Sequence, residues 1–235
     1  LYIGVFLFFL SGFQIGAQGF ALNGVNFNAP YQITHYTSIF TLGSVFAIMF
    51  FAISGVLREQ AYNAESLIYS SGLKKHQYFI SRFLGVFLFS VIAFSPIIIG
   101  TITGTYVVGH DPSRLSPFTL TPYLLSWTAF IIPNILICSS IIFSVGLLTK
   151  NRLSIYATAL LIYVIYFVCS FYFNSPIIAT STAGNTESMV LASLGDPFGI
   201  AAFIEQSQYW TPAQKNILNV SLSGNFLLNR IIWIL

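Results

Sequence analysis

The sequence predicts an all-α membrane protein, a six-span helical bundle whose first and last spans are truncated. Composition is the first reason. Of 235 residues 56% are hydrophobic and 6% charged, with a mean hydropathy of +0.80. A water-soluble domain carries roughly 25% charged residues, so this chain has too little charge to cover a surface facing water. The second reason is run length: a helix crosses a bilayer with about 20 apolar residues, and the chain holds four such runs. A water-soluble bundle does not need runs this long four times over.

The spans fall at about 1–20, 36–57, 80–107, 122–148, 153–173 and 226–235, within a single transmembrane domain covering 1–235. The chain opens in mid-run with "LYIGVFLFFL" and closes in mid-run with "RIIWIL". The outermost spans are therefore expected to be incomplete, and with no basic stretch before the first, no signal peptide is expected. Pro96 and Pro133 are expected to kink the third and fourth spans, because each removes a backbone donor. "GTITG" at Gly100–Gly104 is either a site of close helix crossing or a tolerated pair of glycines. Cys138 and Cys169 lie in apolar runs and read as small core residues.

Orientation follows from the basic residues. Arg58, Lys74, Lys75, Arg82, Lys150 and Arg152 fall on one side, against Arg114, Lys215 and Arg230 on the other. The positive-inside rule puts the first group, and with it the segment 58–79, in the cytoplasm. The outer side then carries residues 14–35 and the long loop 174–225. In that loop Asp196 is suited to cap a helix with Pro197 at its first position. Phe198 and Phe203 supply an apolar face, and Trp210 sits at the end. This segment either lies in the membrane interface or folds over the outer mouth of the bundle. "TPAQ" then offers Thr211 as a cap, Pro212 at the first position and Gln214 as the capping-box partner.

Several chemistries have no motif here. No GxxxxGK[ST], HExxH or GxSxG occurs, and no Cys/His group has metal-ligand spacing. No enzyme activity, cofactor, metal or nucleic-acid partner is expected. No acid or base is expected deep in a span. His110 with Asp111 reads as a solvated outer turn. Asn134, beside Pro133, is the most polar point deep in a span, and it either bonds a neighbouring helix or lines a path.

Residues 58–82 hold four of the nine basic residues. Leu57, Ala61, Ala64 and Ile68 recur at helical spacing, and "SSG" at 70–72 is a stop. The pattern describes a helix, a break and a second helix leading into the third span.

This segment, "ESLIYSSGLKKHQYFISRF", resembles the membrane subunit of type 2 ABC transporters, where the corresponding segment is similar to E-L-x-Y-S-x-P-x-x-K-x-x-Y. The resemblance implies that the elbow rests on a cytoplasmic ATPase through Glu65, Leu67, Ile68, Tyr69, Ser70, Lys74, Lys75, Tyr78 and Arg82. Gly72 stands where that family commonly has Pro. "DPFGIAAFIEQSQYWTPAQKN" followed by "LNR" is similar to a bacterial subgroup of these permeases, some of which continue into a zinc aminopeptidase-like domain. The implied function is a permease subunit in the inner membrane, with ABC ATPase subunits, a second permease half and the lipid bilayer as partners. The alternatives are a non-transporting scaffold that relays ATPase motion outward, or the membrane anchor of a chain with a peptidase-like domain elsewhere.

Overall fold

The computed structural model describes residues 1–18, 22–61, 74–172 and 186–234, and among these every regular element is a helix. Four helical stretches are long and apolar enough to cross a membrane: Pro30–Arg58, Lys75–Val107, Thr121–Thr149 and Arg152–Tyr172. All four lie where hydropathy places them, with earlier starts. The first of them begins at Pro30 because proline at a helix's first position loses no hydrogen bond. Its first turns carry Gln32, Thr34 and Thr37, polar side chains buried in the bundle, which is why hydropathy alone sets the boundary too late.

The helices in chain order are α1 (Tyr2–Gln18), α2 (Pro30–Phe40), α3 (Ser44–Ala61), α4 (Lys75–Phe94), α5 (Pro96–Val107), α6 (Thr121–Ser126), α7 (Ile132–Thr149), α8 (Arg152–Tyr172), α9 (Thr186–Gly195), α10 (Ile200–Ser207), α11 (Pro212–Ile217) and α12 (Gly224–Ile234). α1 and α12 are shorter, at 17 and 11 residues. The basic end of the bundle carries Arg58, Lys74, Lys75, Lys150 and Arg152; the opposite end carries the longer loops.

Each proline sits beside an interruption of its helix. Pro96 separates α4 from α5. The Ser95 hydroxyl turns back to the Val91 carbonyl at 2.7 Å, beside the Ser95 amide that bonds the same oxygen at 2.9 Å. Ahead of Pro133 the backbone opens into a π-helical turn, Trp127–Ile131, in which the Ile132 amide reaches the Trp127 carbonyl. A third break, a 3₁₀ turn at Thr41–Gly43, divides α2 from α3.

α7 is central. Its Ile135, Ile142 and Phe143 are fully buried against Ile48 of α3, Phe94 of α4 and Ile155 of α8. α8 is peripheral, exposing Leu160, Val168 and Phe171, as a helix facing lipid requires.

α1 and α5 settle the question raised by "GTITG". A Cβ at Gly100 would overlap the Phe9 carbonyl, and one at Gly104 the Phe13 carbonyl. Gly12 and Gly16 of α1 answer them: Cβ atoms there would overlap the Ile97 and Thr101 carbonyls. Two glycine pairs four residues apart let these parallel helices meet backbone to backbone, the small-residue solution to packing in lipid.

The loop end is stitched by asparagines and by Arg114, whose Nη2 donates to the Leu22 and Val25 carbonyls at 3.2 Å. Asn28 Nδ2 donates to the Ser116 carbonyl at 2.6 Å and to Tyr106 OH at 2.9 Å. Asn216 Nδ2 donates to the Gly24 carbonyl at 3.0 Å, and its Oδ1 accepts from the Asn26 amide at 2.8 Å. The predicted capping box is present: Thr211 and Gln214 cap α11 reciprocally. His110 is not a solvated turn residue. Its ring stacks on Phe27 at 4.2 Å, and its Nε2 meets the Gly16 carbonyl at 2.8 Å, while Asp111 accepts from the Ser113 amide.

Candidate functional site: a polar latch at the tip of a re-entrant hairpin

The segment 192–203 does not lie on the surface. α9 and α10 form a hairpin whose tip, Asp196–Gly199, reaches into the bundle. Phe198 packs edge-on to Tyr166 of α8 with ring centroids 5.1 Å apart, and its carbonyl accepts from Asn134 Nδ2 at 3.0 Å. Asn134 lies 13 residues into the Thr121–Thr149 stretch, about 20 Å along its axis at 1.5 Å per residue. The hairpin is re-entrant, entering from the loop end and turning near mid-span.

α10 shows why. Ile200, Ala201, Ala202 and Phe203 are buried, and Phe203 packs with Phe130 and Phe226 in a second apolar cluster. Neither sequence reading of this segment, in the membrane interface or over the outer mouth, describes its tip, which enters the bundle against Asn134 and Tyr166. Trp210 is half-exposed and edge-on to Tyr31 of α2. Lys215 sits over the other partner of that contact, its Nζ 4.5 Å from the Tyr31 ring centroid.

A chain that turns inside an apolar bundle must satisfy its own backbone groups. Asp196 serves the start of α10: its carboxylate accepts from the Phe198 amide at 2.8 Å and the Ala201 amide at 2.7 Å. The helix begins at Ile200 behind Gly199, so Pro197 lies in the turn and not at the first helical position. Asn229 of α12 serves the end of α9, its Nδ2 donating to the carbonyls of Ser193 and Asp196, each at 2.7 Å. Trp233 Nε1 donates to the Leu194 carbonyl.

Arg230 locks the arrangement. Only 4% exposed, it donates from Nη1 to Asn134 Oδ1 at 2.9 Å and from Nη2 to the Pro197 carbonyl at 3.2 Å. Nε and Nη2 both reach Asn229 Oδ1, at 2.9 and 2.6 Å. All four bonds go to neutral oxygens, and the nearby Asp196 carboxylate offsets the charge without touching it. Gly199 has a left-handed φ of 71°, and a Cβ there would collide with the guanidinium. Glycine is required twice over.

Two sequence expectations are corrected here. Arg230, counted with the outer loops, is buried among the helices at the level of Asn134. Charge does lie deep in the bundle, because a re-entrant turn and the opening turns of α12 bring it there. Asn134 bonds neighbouring elements: besides Phe198 and Arg230, its Nδ2 donates to Thr41 Oγ1 at 2.8 Å. A small recess beside the turn is lined by Tyr166, Cys169, Ser170 and Asp196. The missed members, Asn229, Arg230 and Thr41, left one trace in the sequence: "NR" inside an otherwise apolar run.

At the basic end, Glu65, Leu67, Ile68, Tyr69 and Ser70 lie outside the described residues. Lys74 and Lys75 are exposed at the start of α4. Arg82 and Tyr78 face inward instead. Arg82 Nη1 donates to the Gly55 carbonyl of α3 at 2.7 Å, and its guanidinium stacks on Tyr78 at 4.5 Å. They bind α4 to α3.

The fold and the latch define an all-α membrane protein with a re-entrant hairpin. No protein-family model, curated protein or solved structure matches the chain.

Proposed function

We propose that this chain is the membrane-spanning permease half of an ABC transporter in the bacterial inner membrane. It works with cytoplasmic ATPase subunits and a second permease half, identical or related, and its basic end faces the cytoplasm. ATP turnover by the partner moves the 58–79 elbow, and the spans pass that motion to the hairpin at the far end. The observation that supports this most directly is the Arg82 clamp. By bonding the Gly55 carbonyl, Arg82 joins the helix that enters the elbow to the helix that leaves it, so a push on the elbow acts on both. α3 and α4 in turn pack on α7, which carries Asn134 to the latch.

The test is co-purification with the ATPase, together with ATP turnover in nanodiscs. Leu67→Asp and Ile68→Asp are expected to lose the ATPase while inserting normally; retention at the parental level contradicts the docking assignment. Lys74→Gln with Lys75→Gln has the smaller effect under docking and the larger one if the elbow only meets anionic lipid. For orientation, cysteines replacing Gln77 and Gln208 are expected to label from opposite sides of the membrane.

One observation favours a second reading. The interior at the hairpin is filled by Phe198, Phe203 and Phe226, all fully buried, as suits a scaffold that relays ATPase motion to an outer partner. ATP turnover without flux of an amphipathic dye in proteoliposomes selects that reading.

A further inference from the structure

We propose that the breaks at Thr41–Gly43, Ser95–Pro96 and Trp127–Ile131 form a single hinge layer. Across it, the basic-end halves of three long helices turn together against the loop-end halves. The inference concerns this chain alone and stands whatever drives the motion.

The three breaks lie at similar depths along their helices. Thr41 lies 11 residues from Pro30, Ser95 lies 12 from Val107, and Trp127 lies 6 from Thr121. At 1.5 Å per residue the breaks fall about 9–18 Å from the loop end. Each interrupts the regular ladder by a different route: a 3₁₀ turn, a proline and a π turn. Such interruptions are where helices bend.

Hydrogen bonds also tie the broken helices together. Trp127 Nε1 donates to Ser95 Oγ at 2.9 Å, tying the π turn to the proline break. Asn134 Nδ2 ties α7 to Thr41 in the 3₁₀ turn. Tyr163 OH of α8 donates to the Leu42 carbonyl at 2.6 Å, in the same turn. The π turn and the proline break are bonded to each other, and the 3₁₀ turn is bonded to α7 and α8, so a bend in one helix is passed to its neighbours.

The two sides of the layer differ as a hinge requires. Toward the loop end, asparagines and Arg114 fasten the loops together, while the latch pins the hairpin tip to Asn134 just past the π turn. Toward the basic end, α3, α4 and α7 meet through apolar side chains such as Phe79, Phe83 and Phe143, and Arg82 ties α4 to α3. Apolar contacts slide in lipid at little cost, because lipid tails are as apolar as leucine.

The experiment is electron–electron distance measurement on the full chain in nanodiscs, with Cys138 and Cys169 replaced by Ala. Label pairs across the layer, Gln77 with Gln208 and Leu148 with Gln208, are expected to give broad distributions. The pair within the basic-end half, Gln77 with Leu148, is expected to give a narrow one. Trp127→Phe keeps the ring and removes the donor, and is expected to broaden the Gln77–Leu148 pair as the helices lose step. Pro96→Ala with Pro133→Ala is expected to remove the broad component from the cross-layer pairs. Cross-layer pairs as narrow as the within-half pair in the parent protein would overturn the hinge. An unchanged Gln77–Leu148 distribution in a monodisperse Trp127→Phe protein would overturn the coupling.

Discussion

Two joints in this molecule solve the same problem in opposite ways. α1 meets α5 by having no side chains at the contact: Gly12, Gly16, Gly100 and Gly104 let two backbones touch. The hairpin meets the bundle through polar groups: Asn134, Asn229, Arg230 and Asp196 satisfy a chain that turns among buried helices. In lipid there is no hydrophobic force between helices, and these are the two remedies left, close packing and internal hydrogen bonding. They differ in what breaks them. The glycine joint fails when any atom is added; the polar joint fails when one is removed.

That difference sets an order of effects. Arg230→Ala strips three acceptors of their donor and leaves Asp196 uncompensated. Breaking a buried charged arrangement costs about 3–5 kcal/mol, to be read as a fall in unfolding free energy in mixed micelles. Gly104→Leu adds atoms against the Phe13 carbonyl, which cannot yield as a side chain would. Overpacking of this kind costs about 1–3 kcal/mol, and cross-linking between α1 and α5 is expected to drop while the hairpin stays seated. Asp196→Ala removes the acceptor for two amides at the start of α10 and is expected to cost about 0.5–2 kcal/mol, with hydrogen exchange faster at 198–203. Lys215→Met keeps the stem and loses the ammonium over Tyr31. It is expected to cost about 0.5–1 kcal/mol, visible as a small loss in thermal midpoint.

The two joints were unequally legible in the sequence. Run length locates the four long helices because hydropathy integrates over about 20 residues, and the breaks at Pro96 and ahead of Pro133 follow from a missing donor. "GTITG" marks half of the glycine joint; Gly12 and Gly16 escape notice because nothing in a single sequence says which helix is the partner. The latch is harder still. Arg230 stands a few residues into a helix, where charge counting places it outside, and its burial depends on a hairpin that comes in from 30 residues away. Asp196 is legible as a capping residue, but Gly199 moves the helix start to Ile200, since only a left-handed residue without a Cβ fits beside the guanidinium.

The central claim is that the hairpin tip is seated inside the bundle and held there by Arg230. Hydrogen exchange on the full chain in nanodiscs, comparing the parent with Arg230→Ala, addresses it directly. The parent is expected to protect the amides of Phe198 and Ala201 as strongly as those of α7. Arg230→Ala is expected to lose that protection across 196–207 while 9–16 and 97–105, at the glycine joint, keep theirs. Fast exchange at Phe198 and Ala201 in the parent, or equal loss at both joints in the variant, would contradict it.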